Sequence, residues 1–283
     1  MDNQQRSEIL KLLEGKYQYT KDSDPEKIIE YYGKNIIQPL KKRTTIGNKI
    51  LLDVSSGFGW MVFAYIKQGG KFAYGVDIHK FSVESSKKIA KILKLDKKCK
   101  FSMGNIEKLK FKNKSIDIVS SLETLEHVKK QKLALEEIDR VAKNFVVITT
   151  PNGIFPKDIH DSGMLLGNYL PKFVRRVYIK ITKKTDCLDA MTKVMTPFTI
   201  EHKLKNFKIV SKILSFDSFS EWLNSRPHYF PYGNGRNKYV PKINKKSLKY
   251  KIFRVAYLIF GAKIRYLLPD YCAVFQRKNT DQH

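Results

Sequence analysis

The most informative segment of the chain reads Lys49-Ile50-Leu51-Leu52-Asp53-Val54-Ser55-Ser56-Gly57-Phe58-Gly59-Trp60. A short apolar run that ends in an acidic residue and small residues predicts a buried parallel strand, a tight loop and the start of a helix. Gly57 and Gly59 allow the backbone to bend sharply and to lie close to a ligand. The free N–H groups at the helix start favour an anionic or polar ligand.

Two classes of cofactor-binding protein use such a loop. In dinucleotide-binding folds a third glycine supports helix–strand packing, and here that position is Val62. The segment Leu51–Gly59 resembles instead the first motif of the class I S-adenosylmethionine (SAM) methyltransferases, which runs hydrophobic-hydrophobic-Asp-hydrophobic-Gly-x-Gly-x-Gly. It departs from that motif at Ser55, where the family usually has glycine. The alternative is an ordinary strand–helix turn that contains two glycines.

A second acidic residue follows the glycine loop at the spacing expected for a carboxylate that binds a ribose. Phe72–Ile78 predicts a second strand with Asp77 near its end, about 20 residues beyond the glycines. A carboxylate at that position can accept both ribose hydroxyls of a nucleoside, and NAD and SAM proteins share this spacing. The alternative is that Asp77 caps the helix predicted over Phe81–Leu93. The spacing therefore predicts a nucleoside ligand without separating the two cofactors.

The segment 116–128 carries a second resemblance to the SAM methyltransferases. Glu123-Thr124-Leu125-Glu126-His127 follows the predicted fourth strand and resembles the E-V-L-E-H segment of the small-molecule and lipid branch of that family. Many methyltransferases of nucleic-acid bases have an Asn/Asp-Pro-Pro-aromatic stretch there instead. His127 is either a general base for an acceptor hydroxyl or, with Glu126, a structural residue that orients the loop.

Strand and helix patterns alternate five times between residues 49 and 150 and predict an α/β fold. We expect a doubly wound, mostly parallel seven-stranded sheet with helical insertions, in which Phe207–Leu214 is the sixth strand and Asp270–Gln276 is an antiparallel last strand. The expected units are an N-terminal helical cap (1–48), a methyltransferase domain (49–277) with insertions at about 154–195 and 216–268, and a polar tail (278–283).

The resemblance implies SAM as the cofactor, in-line transfer of its methyl group, and a set of site residues. The implied cofactor-binding residues are Asp53, Ser55, Gly57, Gly59, Asp77, Ile78, Asn105, Ile106 and Leu122. Of these, Asp53 and the loop Ser55–Gly59 would hold the methionine moiety, Asp77 the ribose, and Leu122 would line the sulfonium end; the adenine would lie on Ile78, Asn105 and Ile106.

Insertions after strands four to six usually cover the substrate in this fold. The candidate substrate contacts in the two insertions are His160, Trp222, Tyr229 and Arg236. Aromatic rings could stack on a ring of the acceptor while cations hold a phosphate. The alternative is a small satellite core with solvated arginines.

The charge of the chain bears on its partners. A formal net charge of +27 favours nucleic acid, an acidic membrane or a phosphorylated substrate, although the lysines are scattered and also fit a solvated basic surface. Cys99, Cys187 and Cys272 are far apart, so neither a disulfide framework nor a zinc site is indicated, and a reducing cytoplasm fits. The N-terminus is polar and lacks an apolar signal core.

The segment 250–269 is apolar, aromatic and basic, and contains no acidic residue. It is suited to the interface of an anionic membrane, or to a buried helix with snorkelling ends. The sequence thus predicts a cytoplasmic, membrane-associated methyltransferase for a small-molecule, sugar or lipid-linked acceptor. The alternatives are methylation of RNA or a ribonucleoprotein, and a catalytically inactive binding module with the same fold.

Overall fold

The computed structural model describes residues 1–14, 24–157, 164–182, 194–225, 229–230, 238–239 and 246–278. In these residues the strands are β1 (Ile50–Val54), β2 (Phe72–Asp77), β3 (Cys99–Met103), β4 (Ile116–Leu122), β5 (Ala142–Pro151), β6 (Phe207–Ile209), β7 (Tyr229–Phe230), β8 (Lys238–Tyr239) and β9 (Asp270–Arg277). Seven of them form one sheet in the order β3-β2-β1-β4-β5-β9-β6. The pairs among β1 to β5 are parallel, and β9 is antiparallel to both of its neighbours. The predicted fold class is therefore confirmed.

The helices cover both faces of the sheet. They are α1 (Asn3–Leu13), α2 (Pro25–Tyr32), α3 (Gln38–Lys41), α4 (Trp60–Lys67), α5 (Lys80–Ile92), α6 (Gln131–Val141), α7 (Lys172–Ile181), α8 (Pro197–Lys203), α9 (Phe219–Ser225) and α10 (Leu248–Phe260), with a 3₁₀ segment at Gly261–Leu267. Helix α2 begins at Pro25 because the Asp24 side chain accepts from the N–H groups of Glu26 and Lys27, and Pro25 itself has no N–H group.

Two hydrophobic cores lie on opposite faces of the sheet. Leu51 belongs to the first core, whereas its neighbour Leu52 belongs to the second, because successive strand side chains point to opposite faces. Helices α1 to α3 contribute Ile9, Ile28 and Leu40 to the first core, together with α4 and α5. The predicted boundary between the helical cap (1–48) and the methyltransferase domain (49–277) thus separates segments that contribute to the same core. The division into these two units stays a prediction.

The sixth strand is shorter than predicted. It ends at Ile209 rather than at Leu214, because after one further hydrogen bond to β9, from the N–H of Val210, the chain leaves the sheet and turns at residues 213–216. Leu214 has a positive φ of 49°, and Ile213 forms an isolated bridge with Phe216. The apolar run therefore continues into a turn, which its composition does not reveal.

The end of β5 is fastened to the start of β9. The N–H of Asn152 donates to the carbonyl of Pro269, and its side-chain amide donates to the carbonyls of Tyr266 and Leu268. Asn152 is 1% exposed, so these bonds lie in the interior. The insertion after β5 and the 3₁₀ segment that follows α10 consequently meet at one edge of the sheet. Among the described helices, none is long and apolar enough to cross a membrane.

Candidate functional site

The carboxyl ends of the parallel strands meet at one edge of the sheet, which we call the carboxyl edge. There the loop between β1 and α4 is bent by left-handed backbone conformations at every second residue, with φ of +58° at Ser55, +52° at Gly57 and +84° at Gly59. A Cβ on Gly59 would lie 2.6 Å from the ring of Phe101, so no larger residue fits there. Ser55, at a position where the resembling motif has glycine, thus adopts a left-handed conformation that costs energy for any other residue.

Asp77 joins this loop to the end of β2. One carboxylate oxygen, Oδ2, accepts from the N–H of Gly57 at 2.8 Å, and Oδ1 accepts from the N–H of His79 at 2.9 Å. Each carboxylate oxygen has two lone pairs, so both can accept a further hydrogen bond from a ligand hydroxyl. Helix α5 begins after His79, so Asp77 precedes its cap position. The structure thus brings two of the predicted cofactor residues together.

Asp53 lies beneath the loop, at 4% exposure. The hydroxyl of Ser120 donates to its Oδ1 at 2.6 Å. Burial raises the pKa of Asp53 to about 7; the Ser120 hydrogen bond counters this in part, and the charge of Asp77 adds to it. Two neighbouring carboxylates in a desolvated place make the site favourable for a ligand that carries a positive charge.

Apolar side chains surround Asp77 at the carboxyl ends of β2 and β3. Ile78 is 59% exposed and Met103 is 54% exposed, which is unusual for large apolar residues beside a buried acid. Phe58 of the glycine loop and Phe81 of α5 pack edge to face, with ring centroids 5.9 Å apart. Of these four residues, the sequence predicts only Ile78 as a site residue. The signals that could have identified the others are the place of Phe58 between the two loop glycines, of Met103 at the end of β3 and of Phe81 in the first turn of α5.

The remaining predicted cofactor residues occupy different environments. Asn105 is exposed, and its side-chain oxygen accepts from the N–H of Glu107 at 2.8 Å, which leaves a second lone pair on that oxygen. Ile106 is buried in the second core, which also contains Val76. Its side chain therefore contributes to the packing of the protein interior. Leu122 is half-buried at the end of β4 and packs against the first core.

The segment after β4 combines a strained residue with a buried acid. Glu123 is exposed and has a φ of +48°. Glu126 is completely buried, and the hydroxyl of Thr150 donates to its Oε2 at 3.0 Å. His127 is exposed in the 3₁₀ turn Leu125–His127. This arrangement supports a structural role for Glu126, which ties the exit of β4 to the end of β5, and it leaves the imidazole of His127 accessible.

Two of the four predicted substrate residues lie in the part of the chain that the structure describes. His160 and Arg236 lie outside the described residues, and Tyr229 lies in β7. Trp222 packs against Phe219 and Phe253, with ring centroids 5.5 Å and 5.1 Å away. It therefore belongs to a satellite core between α9 and α10, as the alternative interpretation of this segment has it.

Comparison of the sequence with known protein families identifies the family of this chain. A family model described as "Methyltransferase domain" matches residues 47–200, which is more than half of the chain. The chain belongs to this family. Residues 47–200 form a class I SAM-dependent methyltransferase domain, and SAM is its cofactor.

Related proteins agree with this assignment. The norajmaline N-methyltransferase of Rauvolfia serpentina is 31% identical over 94 residues, which cover 33% of this chain and 32% of that enzyme. The chain thus matches about one third of the length of this relative. Among solved structures, the magnesium protoporphyrin IX methyltransferase of Synechocystis PCC 6803 with bound SAH has a TM-score of 0.52 at 13% identity, with 87% of this chain and 81% of that chain covered.

A second solved structure is the putative methyltransferase of Haloferax volcanii in complex with the Trm112 methyltransferase activator. It has a TM-score of 0.52 at 13% identity, with 92% of this chain and 95% of that chain covered. At these identities the two structures show the shared fold.

The residues of this methyltransferase fit its cofactor at the glycine loop. A Cβ built on Gly57 would meet no heavy atom of the described residues within 4 Å, so among these residues the loop faces open space there. The hydroxyl of Ser56 is buried and, among the described residues, has no hydrogen-bond partner. A buried hydroxyl without a partner is costly, and a polar ligand group would satisfy it. The loop therefore offers both room and an unused donor.

Proposed function

We propose that this enzyme methylates a small-molecule, sugar or lipid-linked acceptor. The observation that carries the proposal is an exposed apolar side chain beside the end of β5: Phe198 is 58% exposed, and it is not among the residues assigned to the cofactor. Phe198 is stacked on Tyr266, with ring centroids 5.1 Å apart, next to the end of β5. Exposed apolar groups of this size favour an acceptor that itself has an apolar part.

The proposed cofactor site uses the groups that the glycine loop and β2 bring together. Asp77 would accept hydrogen bonds from the ribose hydroxyls, and Ile78 would pack against the adenine. Asp53 and the loop Ser55–Gly59 would hold the methionine moiety, with its charged amino group. When bound, SAM supplies an electrophilic methyl group on a sulfonium.

The sequence assigns the adenine edge and the sulfonium end to residues from neighbouring strands, and these assignments stay predictions. Asn105 would bind the adenine through the second lone pair of its side-chain oxygen, beside Ile106, and Leu122 would line the sulfonium end. Because the side chain of Ile106 is buried, this residue would contribute to adenine binding through the conformation of its backbone.

The role of the protein's own residues in the transfer is mainly positional. A nucleophile held in line with the methyl group needs little further assistance. His127, exposed in the turn after β4, is the residue we propose as the base that takes the proton of an acceptor hydroxyl. Glu126 would hold that turn in place through Thr150.

Transfer of a radiolabelled methyl group tests the acceptor class. The full chain is incubated with labelled SAM and with either a lipid extract, a set of sugars and other small molecules, or RNA. We expect label in one of the first two pools, and its loss in Asp77→Ala. Label that enters RNA alone contradicts the proposal.

Methylation of RNA is the second candidate, because the net charge of +27 suits a polyanion. Binding through phosphate contacts weakens steeply with salt. If this candidate is right, RNA affinity falls by orders of magnitude as salt rises and labelled RNA accumulates. A flat salt dependence rejects it. A cytoplasmic location and contact with an anionic membrane through 250–269 stay predictions.

A further inference from the structure

Helix α10 has two apolar faces, and within the part of the chain that the structure describes one is packed and the other is exposed. Phe253, Ala256 and Tyr257 contact the satellite core with Phe219 and Trp222. The other face consists of residues three or four positions apart, each more than half exposed: Leu248, Ile252, Val255 and Ile259. This spacing places them on one stripe of the helix. A soluble surface does not need such a stripe, so it indicates a partner.

Helix α7 repeats the pattern in the other insertion. Phe173, Val177 and Ile181 are four residues apart, and each is more than half exposed. Leu165 and Tyr169, in the segment that leads to α7, are also more than half exposed. An exposed apolar stripe therefore occurs twice, on helices that are far apart in the sequence.

Both helices are attached at the carboxyl edge. The insertion that contains α7 leaves the sheet at Asn152, and the 3₁₀ segment after α10 returns to the sheet at Pro269, whose carbonyl accepts from the N–H of Asn152 at 2.8 Å. In addition, the hydroxyl of Tyr169 donates to the carbonyl of Ile154 at 2.6 Å. The two stripes thus belong to segments anchored at the carboxyl edge, the edge on which the proposed cofactor site also lies.

The charge of these segments selects one kind of partner. Residues 164–182 contain four Lys or Arg and residues 246–269 contain six, and neither range contains Asp or Glu. On α10, Lys251 and Arg254 are exposed beside the stripe, as are Arg176 and Lys180 on α7. A second copy of the same surface would meet like charge, whereas the interface of an anionic bilayer accepts both the apolar side chains and the cations.

We propose that α7 and α10 both dock on the interface of an anionic lipid bilayer, and that docking holds the carboxyl edge at the membrane. The proposal deepens and rests on the proposed function, because it gives a lipid-linked acceptor a short route to the site. It adds α7 to the segment 250–269 as a second point of attachment. Apolar side chains enter the acyl boundary, while lysines and arginines remain at the headgroups.

Sedimentation of the full chain with vesicles tests the proposal. Vesicles of phosphatidylcholine alone are compared with vesicles in which part of it is replaced by phosphatidylglycerol. We expect binding to the anionic vesicles to be at least about tenfold stronger. Ile252→Ser with Ile259→Ser on α10, and Phe173→Ser with Val177→Ser on α7, should each weaken that binding about tenfold or more, because the inserted apolar area is lost.

Matched controls separate this surface from general effects. Leu133→Ser removes an exposed apolar residue from α6, and it should leave vesicle binding within about twofold. Arg176→Gln with Arg254→Gln should weaken binding to anionic vesicles more than Lys87→Gln with Lys88→Gln, an exposed pair on α5.

Three results overturn the proposal: equal binding to neutral and anionic vesicles, loss of binding on α10 substitution with none on α7 substitution, or a dimer that the apolar substitutions dissociate. SAM affinity, measured by calorimetry without vesicles, keeps the two proposals distinct. If SAM binds normally and vesicles do not, docking alone fails. If vesicles bind and SAM does not, the proposed function fails instead.

Discussion

The backbone N–H of Gly57 donates to the carboxylate of Asp77 at 2.8 Å, across 20 residues of sequence. This bond joins the glycine loop after β1 to the end of β2, and it leaves the carboxylate able to accept further hydrogen bonds. The two halves of the proposed nucleoside site are therefore held in register by the protein itself. Several consequences of this arrangement are measurable.

Replacing Asp77 should remove cofactor binding. In Asp77→Ala the ribose hydroxyls lose their proposed acceptor, so we expect SAM affinity to fall by about a hundredfold or more in a calorimetric titration. The N–H groups of Gly57 and His79 also lose their acceptor, which should lower the free energy of unfolding by about 1–3 kcal/mol.

The control for this variant is Asp96→Ala, which removes an exposed acid from the turn before β3. It should leave both SAM affinity and stability close to those of the original chain. An Asp77→Ala protein that folds and binds SAM normally would remove Asp77 from the site.

Ser55 is expected to be strained, because it has a φ of +58° without being glycine. Ser55→Gly should therefore raise the free energy of unfolding by about 1 kcal/mol, measured by denaturant titration. SAM affinity should stay the same or increase, because the loop keeps its conformation.

Lys114→Gly is the matched comparison, since Lys114 has a φ of +49° far from the loop. It should stabilise the chain to a similar extent without any change in SAM affinity. A loss of stability in Ser55→Gly would show that the serine side chain contributes more than the backbone strain costs.

The buried carboxylate of Asp53 predicts a dependence of stability on pH. Its pKa is raised to about 7 in the folded chain, so the folded state binds more protons than the unfolded state between the ordinary Asp pKa of 3.8 and about 7. Stability should therefore be highest below that window and should decrease as the pH rises through it, by roughly 4 kcal/mol at most.

Asp53→Asn isolates this effect, because the amide keeps an oxygen for the Ser120 hydroxyl and cannot ionise. Relative to the original chain, the variant should be more stable at about pH 8 and equally stable at about pH 4. Thermal melts across this range provide the measurement. Parallel curves for the two proteins would place the titration elsewhere.

Ile78 is expected to contribute affinity and almost no stability, because it is 59% exposed in the absence of a ligand. Ile78→Ser should weaken SAM binding by about tenfold and change the free energy of unfolding by less than about 0.5 kcal/mol. Leu133→Ser, on the far helix α6, is the control and should leave SAM affinity unchanged. An unaffected titration for Ile78→Ser would argue against the adenine contact.

The regular part of the fold follows from the sequence. Buried strands appear as apolar runs, and Asp53 and Asp77 mark the carboxyl ends of two of them. The alternation of strands with amphipathic helices then leaves few topologies, because parallel strands need right-handed crossovers. The glycine loop after β1 and Asp77 at the end of β2 can likewise be recognised in the sequence, because each follows an apolar strand. Together they predict the position of the proposed cofactor site.

The remainder depends on contacts that no local pattern encodes. Ile106 follows a strand end as Ile78 does, yet it is buried at 7% exposure because it packs against Val76 in the second core. Trp222 packs against Phe253, a residue 31 positions away on another helix. The exposure of Met103 and Phe81 likewise depends on what the tertiary structure leaves uncovered.

The most direct test of the central claim is a crystal structure of the chain soaked with S-adenosylhomocysteine. We predict the ribose hydroxyls within hydrogen-bond distance of the Asp77 carboxylate, with the adenine against Ile78 and the amino acid moiety over the loop Ser55–Gly59. A nucleoside bound elsewhere, or side chains filling the space above Gly57 in the soaked crystal, would contradict it.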